Sequence, residues 1–368
     1  MRHPLLPAIL VLSPAALPAQ AYILDSTLDI LFTVDLNTGL ATQVASTFNN
    51  GLDTPADLAW RTDTREMWTI DLSGGELGTI DLATGTFTPV IQTGLSGWQS
   101  LAWDPELRVF FASNQTGGTT YRIDPVTGTT TPLGPSGVGY VSGLDVDAEG
   151  TLWGTVFSNG IVVKIDKTTG AGTQVATTAR SLGDIAFDQD GVCWGANSGD
   201  DSLYRIDLAT GQATLIGAHG SGVTFVKGIA ITNDGVMRGG RGCADGTSTR
   251  LAMFFQGSSQ VGGSSLVLGV QAGAPIPSML ALGTSNRTWL GLPLPFDLGA
   301  LGARGCFVFT SSDAFTPVVG AGTPVQVPIP NVPPLVGRSV FAQGLAIDFA
   351  ANPFGVVTSD YVRIVVTR

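Results

Sequence analysis

Carboxylates are the residues of this chain best placed to do chemistry, because the other reactive side chains are nearly absent. Histidine occurs only at His3 and His219. A Ser-His-Asp or Cys-His centre would have to use His219, which sits in the loop Ala218-His219-Gly220 with no base-positioning pattern around it. It is expected to be a solvated loop residue. With His3 in the expected leader and Cys243 and Cys306 expected to pair, His219 and Cys193 are too few for a Cys/His zinc site. There is no Gly-Lys-Ser/Thr phosphate cradle and no basic-aromatic stripe for nucleic acid. Oxygen ligands do cluster in Asp145-Val-Asp-Ala-Glu-Gly150, Asp188-Gln-Asp-Gly191 and Ser198-Gly-Asp-Asp201. None has the twelve-residue spacing of a dedicated calcium loop. They are expected to be turns, with Ca²⁺ the alternative and no other cofactor called for.

The elements that carry these residues form a repeat. Asp-x-x-Thr-Gly or a close variant recurs with its aspartate at Asp35, Asp81, Asp124, Asp166 and Asp207, at spacings of 46, 43, 42 and 41 residues. Thirteen residues before each aspartate stands an aromatic: Tyr22, Trp68, Phe111, Trp153 and Trp194. Ten or eleven residues before the last four aromatics, at Asp57, Ser100, Gly143 and Asp184, short alternating apolar runs begin. Each period thus holds four strand-length segments separated by turn residues. A tandem four-stranded unit of about 40–45 residues is the pattern of a propeller blade, whose small sheet hides its faces only by stacking on its neighbours. The aromatics are expected to wedge between blades, and the Asp-x-x-Thr-Gly aspartates to cap tight turns.

The chain enters mid-blade, since Tyr22 aligns with a second strand, and its last copy begins at Gly228. Five blades result if that copy completes the first one, with six as the alternative. Either Gly228–Thr232 alone joins the N-terminal strands, or the hairpin 228–240 supplies two strands; Arg238, in the slot of the missing aromatic, favours the first. Residues 1–21, with an apolar middle and Ala19-Gln20-Ala21 at the end, have the form of a cleaved export signal. Residues 22–240 are assigned to the propeller and 241–368 to a proline-richer β-sandwich, whose last run alternates as a half-buried strand. The fold class is all-β. Cys243 and Cys306, both in the sandwich region, are expected to form a disulfide in an oxidising compartment, with Cys193 a buried, inert thiol. Residues 22–240 carry 24 acidic and 10 basic side chains, which argues against nucleic-acid and anionic-membrane partners. No later segment is long and apolar enough to anchor the chain, so a secreted or periplasmic monomer is expected.

The repeats resemble the propeller repeats of exported bacterial proteins and, distantly, NHL and streptogramin-lyase-like propellers. The residues that carry the likeness are the Ile-Asp-x-x-Thr-Gly and Ile-Ala-Phe-Asp-x-Asp-Gly-x-x-Trp-Gly runs, over about 220 residues. The resemblance implies the fold and leaves function open; streptogramin lyases rely on histidine, which is scarce here. Gly242-Cys243, Leu290-Gly-Leu-Pro293, Gly305-Cys306 and Phe341-Ala-Gln-Gly-Leu-Ala346 resemble a C-terminal module of exported bacterial repeat proteins. That likeness implies a display, stalk or sorting role.

In a propeller the loops entering the innermost strands meet at one mouth of the channel. Here they bring Asp57, Trp98, Gln99, Tyr140, Arg180, Asp184, Phe225 and Lys227. Three aromatics among polar groups suit a stacking face for a ligand; the alternative is loop packing. The expected function is non-catalytic binding of a glycan, peptide or surface polymer at this mouth. Close carboxylates in the channel would favour a lyase or hydrolase using Asp57 and Asp184, with Ca²⁺ as an option. A plugged channel would favour a structural envelope protein.

Overall fold

Short β-branched runs punctuated by glycine turns fold here into small antiparallel sheets, as their period-2 alternation requires. The computed structural model describes residues 19–47, 52, 54–220, 222–263, 266–318 and 322–368. Of the expected leader only Ala19–Ala21 falls among them, so that assignment lies otherwise outside the described residues.

Five four-stranded sheets form the blades. Their innermost strands are Val226–Ile231 (blade 1), Pro55–Arg61 (blade 2), Trp98–Asp104 (blade 3), Gly143–Val146 (blade 4) and Leu182–Phe187 (blade 5). Each packs against its two neighbours in a closed ring. Blade 1 is composite: Ala21–Asp25 pairs antiparallel with Val226–Ile231, with Tyr22 opposite Ala230 and Leu24 opposite Gly228. The ring therefore closes through the N-terminal strands, with five blades, and no raw edge is left at the seam.

The recurrent aromatics lie between blades. Trp68 belongs to the apolar cluster of blades 2 and 3, Phe111 to that of 3 and 4, Trp153 to 4 and 5, and Trp194 to 5 and 1. Tyr22 packs, half-buried, against the cluster of blades 1 and 2. The Asp-x-x-Thr-Gly aspartates cap their turns as expected: Asp81 Oδ1, for instance, accepts the N–H groups of Ala83 and Thr84 at 2.9 and 2.8 Å. The glycine that follows has φ near +70° in Gly85 and near +77° in Gly211, a conformation open to glycine at no steric cost.

Beyond the ring, one sheet is ordered Val236–Gly239, Val356–Val365, Ser339–Ile347, Ser278–Gly283, Ala314–Val318, and a second Ala252–Gln256, Leu266–Gln271, Val325–Val327. They enclose a common apolar core, and Cys243 is bonded to Cys306 while Cys193 is free and buried. Val236–Gly239, which the sequence assignment places before residue 241, pairs with Tyr361–Ile364. This explains Arg238: the residue sits in a sandwich strand, where its guanidinium pairs with Asp360 and reaches Asp190 at 3.4 Å.

The sandwich docks on the turns between first and second blade strands. Gly240 N–H donates to Glu149 Oε1 at 2.6 Å, Arg287 pairs with Glu106 at 3.2 Å, and the Arg368 N–H donates to the Asp63 carbonyl at 2.9 Å. For this reason the final strand is not half-buried. Tyr361 and Arg363, which alternate with Val362 and Ile364, are covered by the propeller and are as buried as they are. Among the described residues no helix is long and apolar enough to cross a membrane.

Candidate functional site

An innermost blade strand exposes one edge of backbone N–H groups to the channel, and each buried one needs an acceptor. Aspartates supply them. Asp57 Oδ1 accepts Leu58 N–H at 2.8 Å, and its Oδ2 accepts Leu101 N–H of blade 3 at 2.7 Å. Asp184 does the same for Ile185 and, in blade 1, Ile229, both at 2.7 Å. Asp145 staples Val146 and Phe187 two residues further along, at 2.8 and 2.7 Å.

Asp57 and Asp184 belong to non-adjacent blades, and their carboxyls are electrostatic neighbours in the channel. Glycine lets each carboxyl pack against the neighbouring blade. A Cβ on Gly143 would lie 2.2 Å from Asp184 Oδ1, and one on Gly228 would lie 2.8 Å from Asp57 Oδ1. Burial holds the Asp57 carboxyl well above the usual carboxylate range, with the neighbouring Asp184 charge adding to it. Burial likewise pushes Asp184 up to about 8 and Asp145 to about 7. The pair thus retains a proton into the neutral range, as two close carboxyls must.

Above the pair, Lys227 Nζ of blade 1 donates to Gln99 Oε1 of blade 3 at 2.6 Å. Burial lowers the Lys227 pKa, while Asp57 and Asp184 act against that. At the opposite end Met237, Trp60 and Asn233 help enclose a cavity of about 30 Å³. The carboxylates are therefore close together, as a lyase or hydrolase would need, yet they lie fully buried in a channel that is bridged above them. Their oxygens are occupied by backbone amides.

The eight mouth residues separate into three groups. Asp57, Asp184, Gln99 and Lys227 form the channel interior. Trp98 is not a mouth residue: it is 0% exposed in the cluster of blades 2 and 3, its Nε1 donates to Thr93 Oγ1 at 3.1 Å, and its ring meets Tyr121 edge-on. Trp98 begins the innermost strand of blade 3, and its indole turns inward into that apolar cluster. Tyr140 is half-buried, Phe225 is 36% exposed, and Arg180 is exposed, lying 5.1 Å over the Tyr204 ring. Those three face outward.

A set of loop-holding residues escaped the sequence reading. Asp25 Oδ2 accepts the N–H groups of Thr224 and Phe225 at 2.7 and 3.1 Å, which fixes the loop presenting the Phe225 ring. Asp71 holds Thr54 N–H at 2.8 Å, Asn114 donates to the Ser96 carbonyl, and Asn197 accepts Gly199 N–H at 2.7 Å. All stand three residues after the recurrent aromatic, a signal present in four of the five copies.

The suspected calcium loops have local work. Asp188 accepts Val192 N–H and the Trp194 indole at 2.9 and 2.8 Å, and Asp147 accepts Thr151 N–H and the Trp153 indole, each at 2.7 Å. Asp200 accepts the Tyr204 hydroxyl at 2.6 Å. Among the described residues no three His, Cys, Asp or Glu side chains are grouped to hold a metal ion. His219 is not solvated: it is buried, and its Nδ1 meets the Gly39 carbonyl at 2.9 Å, joining blade 5 to blade 1. Burial lowers its pKa. The Cys193 thiol is pushed well up by burial, which suits an inert role.

As a class, then, the chain is an all-β propeller of five blades with a second β-structure docked on one face. No protein-family model and no curated protein matches its sequence. Among solved structures it is similar to a chain of a nidogen/laminin complex at 14% identity and TM-score 0.44, covering 58% of this chain and 98% of that one. It is also similar to a streptogramin B lyase (13%, TM-score 0.36, 68% and 78%) and to virginiamycin B lyase from Staphylococcus aureus (13%, TM-score 0.35, 53% and 65%). None of these scores reaches 0.5, and the architecture rests on the strand pairing.

Proposed function

We propose that this is an exported, non-catalytic binding protein that takes a glycan, peptide or surface polymer at the mouth around Tyr140 and Phe225, with the sandwich serving display or attachment. The observation that carries it is the blocked channel: the Lys227–Gln99 hydrogen bond crosses it and Asp57 and Asp184 lie fully buried, so a partner meets the outer loops. Asp25 holds the loop under Phe225, which lowers the cost of ordering that surface on binding. Export is supported by the form of residues 1–21 and by the Cys243–Cys306 bond.

The enzyme alternative has one observation in its favour, the close carboxyl pair with raised pKa values. A general acid must lie within hydrogen-bond reach of its substrate, and both carboxyls are fully buried. Binding is therefore preferred. The test is a glycan array and polymer pull-down with the full chain. Tyr140→Ala and Phe225→Ala should each weaken a captured ligand about tenfold. Capture unchanged in the double variant would refute the mouth.

A further inference from the structure

The seam between propeller and sandwich carries a charge opposite to that of the whole chain. The formal net charge is −11, yet a cleft of about 490 Å³ at this seam is lined by Arg108, Arg287, Arg338 and Arg363, with Glu106 its one acidic residue. Four positive side chains thus face one negative one in the lining, with Asp63 paired to Arg108 beside it.

Two of these guanidinium groups are partly neutralised: Arg108 pairs with Asp63 at 3.3 Å and Arg287 with Glu106 at 3.2 Å. The other two retain free donors. The Arg338 side chain is exposed and has no partner among the described residues. Arg363 is 0% exposed; its Nε and Nη2 reach Ser339 Oγ at 3.3 and 3.2 Å, while its Nη1 is buried with no acceptor among the described residues. That nitrogen points to where the other groups gather. Around the position a Cβ of Gly150 would take, Glu106 Oε2 lies at 2.8 Å, Arg287 Nη2 at 3.0 Å and Arg363 Nη1 at 3.6 Å.

A buried guanidinium N–H without an acceptor is costly, and docking the sandwich places one at an arginine-lined opening. We infer that this cleft is a binding site for a tetrahedral oxyanion, phosphate or sulfate, either free or as a monoester on a sugar. Guanidinium forks arriving from two domains suit oxygens spread over several directions. Arg363 and Arg287 come from the sandwich and Arg108 from the propeller, so the bound anion would also tie the two units together. This site lies on the face opposite the Tyr140–Phe225 mouth and stands independently of it.

The test is calorimetry and thermal unfolding of the full chain with inorganic phosphate, inorganic sulfate, glucose 6-phosphate and glucose 6-sulfate, against chloride at matched ionic strength. Binding of any of the four is expected, with a melting temperature raised beyond the chloride control. Monoesters tighter than the free ions would place the ligand on a sugar; the reverse order would make it the free ion. Arg287 and Arg338 are exposed, so Arg287→Gln/Arg338→Gln should fold and should weaken binding at least about fivefold, given the usual worth of a charged hydrogen bond. No effect beyond chloride, or binding weakened less than that in the double variant, overturns the site.

Discussion

Replacing Asp57 with asparagine isolates the part of the channel that holds the blades together. The folded-state pKa values of Asp57 and Asp184 are raised, Asp184 to about 8, by burial first. A carboxyl whose folded pKa lies above its unfolded value keeps a proton that the unfolded chain releases. Its contribution is full below about pH 4 and is lost as pH rises toward 8. Each retained proton gives a slope of about 1.4 kcal/mol per pH unit, so a carboxyl that holds its proton throughout withdraws about 3 kcal/mol between pH 5 and 7. In Asp57→Asn the side-chain amide keeps one good acceptor for two N–H groups, those of Leu58 and Leu101. Orphaning one costs about 1–3 kcal/mol at pH 5. Asp184 stays buried in the variant and keeps most of its own pH dependence, so the difference reads the proton that Asp57 holds, and the deficit should shrink as pH rises. Urea unfolding followed by tryptophan fluorescence reads the propeller, since all tryptophans except Trp289 lie there. Asp145 and His219 titrate in both proteins and cancel in the difference. A deficit that stays constant or grows between pH 5 and 8 would refute the raised Asp57 carboxyl.

Trp98→Ala should destabilise the propeller by about 3–5 kcal/mol in the same urea experiment and leave affinity for any captured ligand unchanged, since the ring is buried between blades. Gly143→Ala should cost about 1–3 kcal/mol, because the new methyl would strike the Asp184 carboxylate; an unaffected midpoint would mean blades 4 and 5 do not pack that closely there. Cys243→Ala/Cys306→Ala should lower sandwich stability by about 2–5 kcal/mol, read by calorimetry against the wild type, and digestion without reductant should recover no wild-type peptide linking Cys193 to either partner.

Much of the scaffold was legible because blades repeat one local solution. The thirteen-residue offset from Tyr22 to Asp35 placed the N-terminal strands in the second and third slots, and the closure with Val226–Ile231 followed. The turn aspartates and the Cys243–Cys306 pairing were equally local or compositional. What escaped depends on neighbours far along the chain. Asp57 looked like a mouth residue until Leu101, 44 residues away, claimed its second oxygen. Trp98 carries the same signature whether its ring points out or into the slot beside Tyr121. His219 is buried because Gly39, 180 residues earlier, closes the seam over it. The last run reads as a half-buried strand because nothing local announces that a propeller lies against Tyr361 and Arg363.

The most direct measurement of whether this propeller binds or converts is the fate of a captured ligand. Whatever glycan, peptide or polymer the full chain retains should be incubated with it and its mass recorded before and after, in parallel with Asp184→Asn and Tyr140→Ala/Phe225→Ala. An unchanged mass, with retention kept by a folded Asp184→Asn and lost in the aromatic double variant, is the predicted result. A ligand converted by the wild type and spared by Asp184→Asn would contradict it.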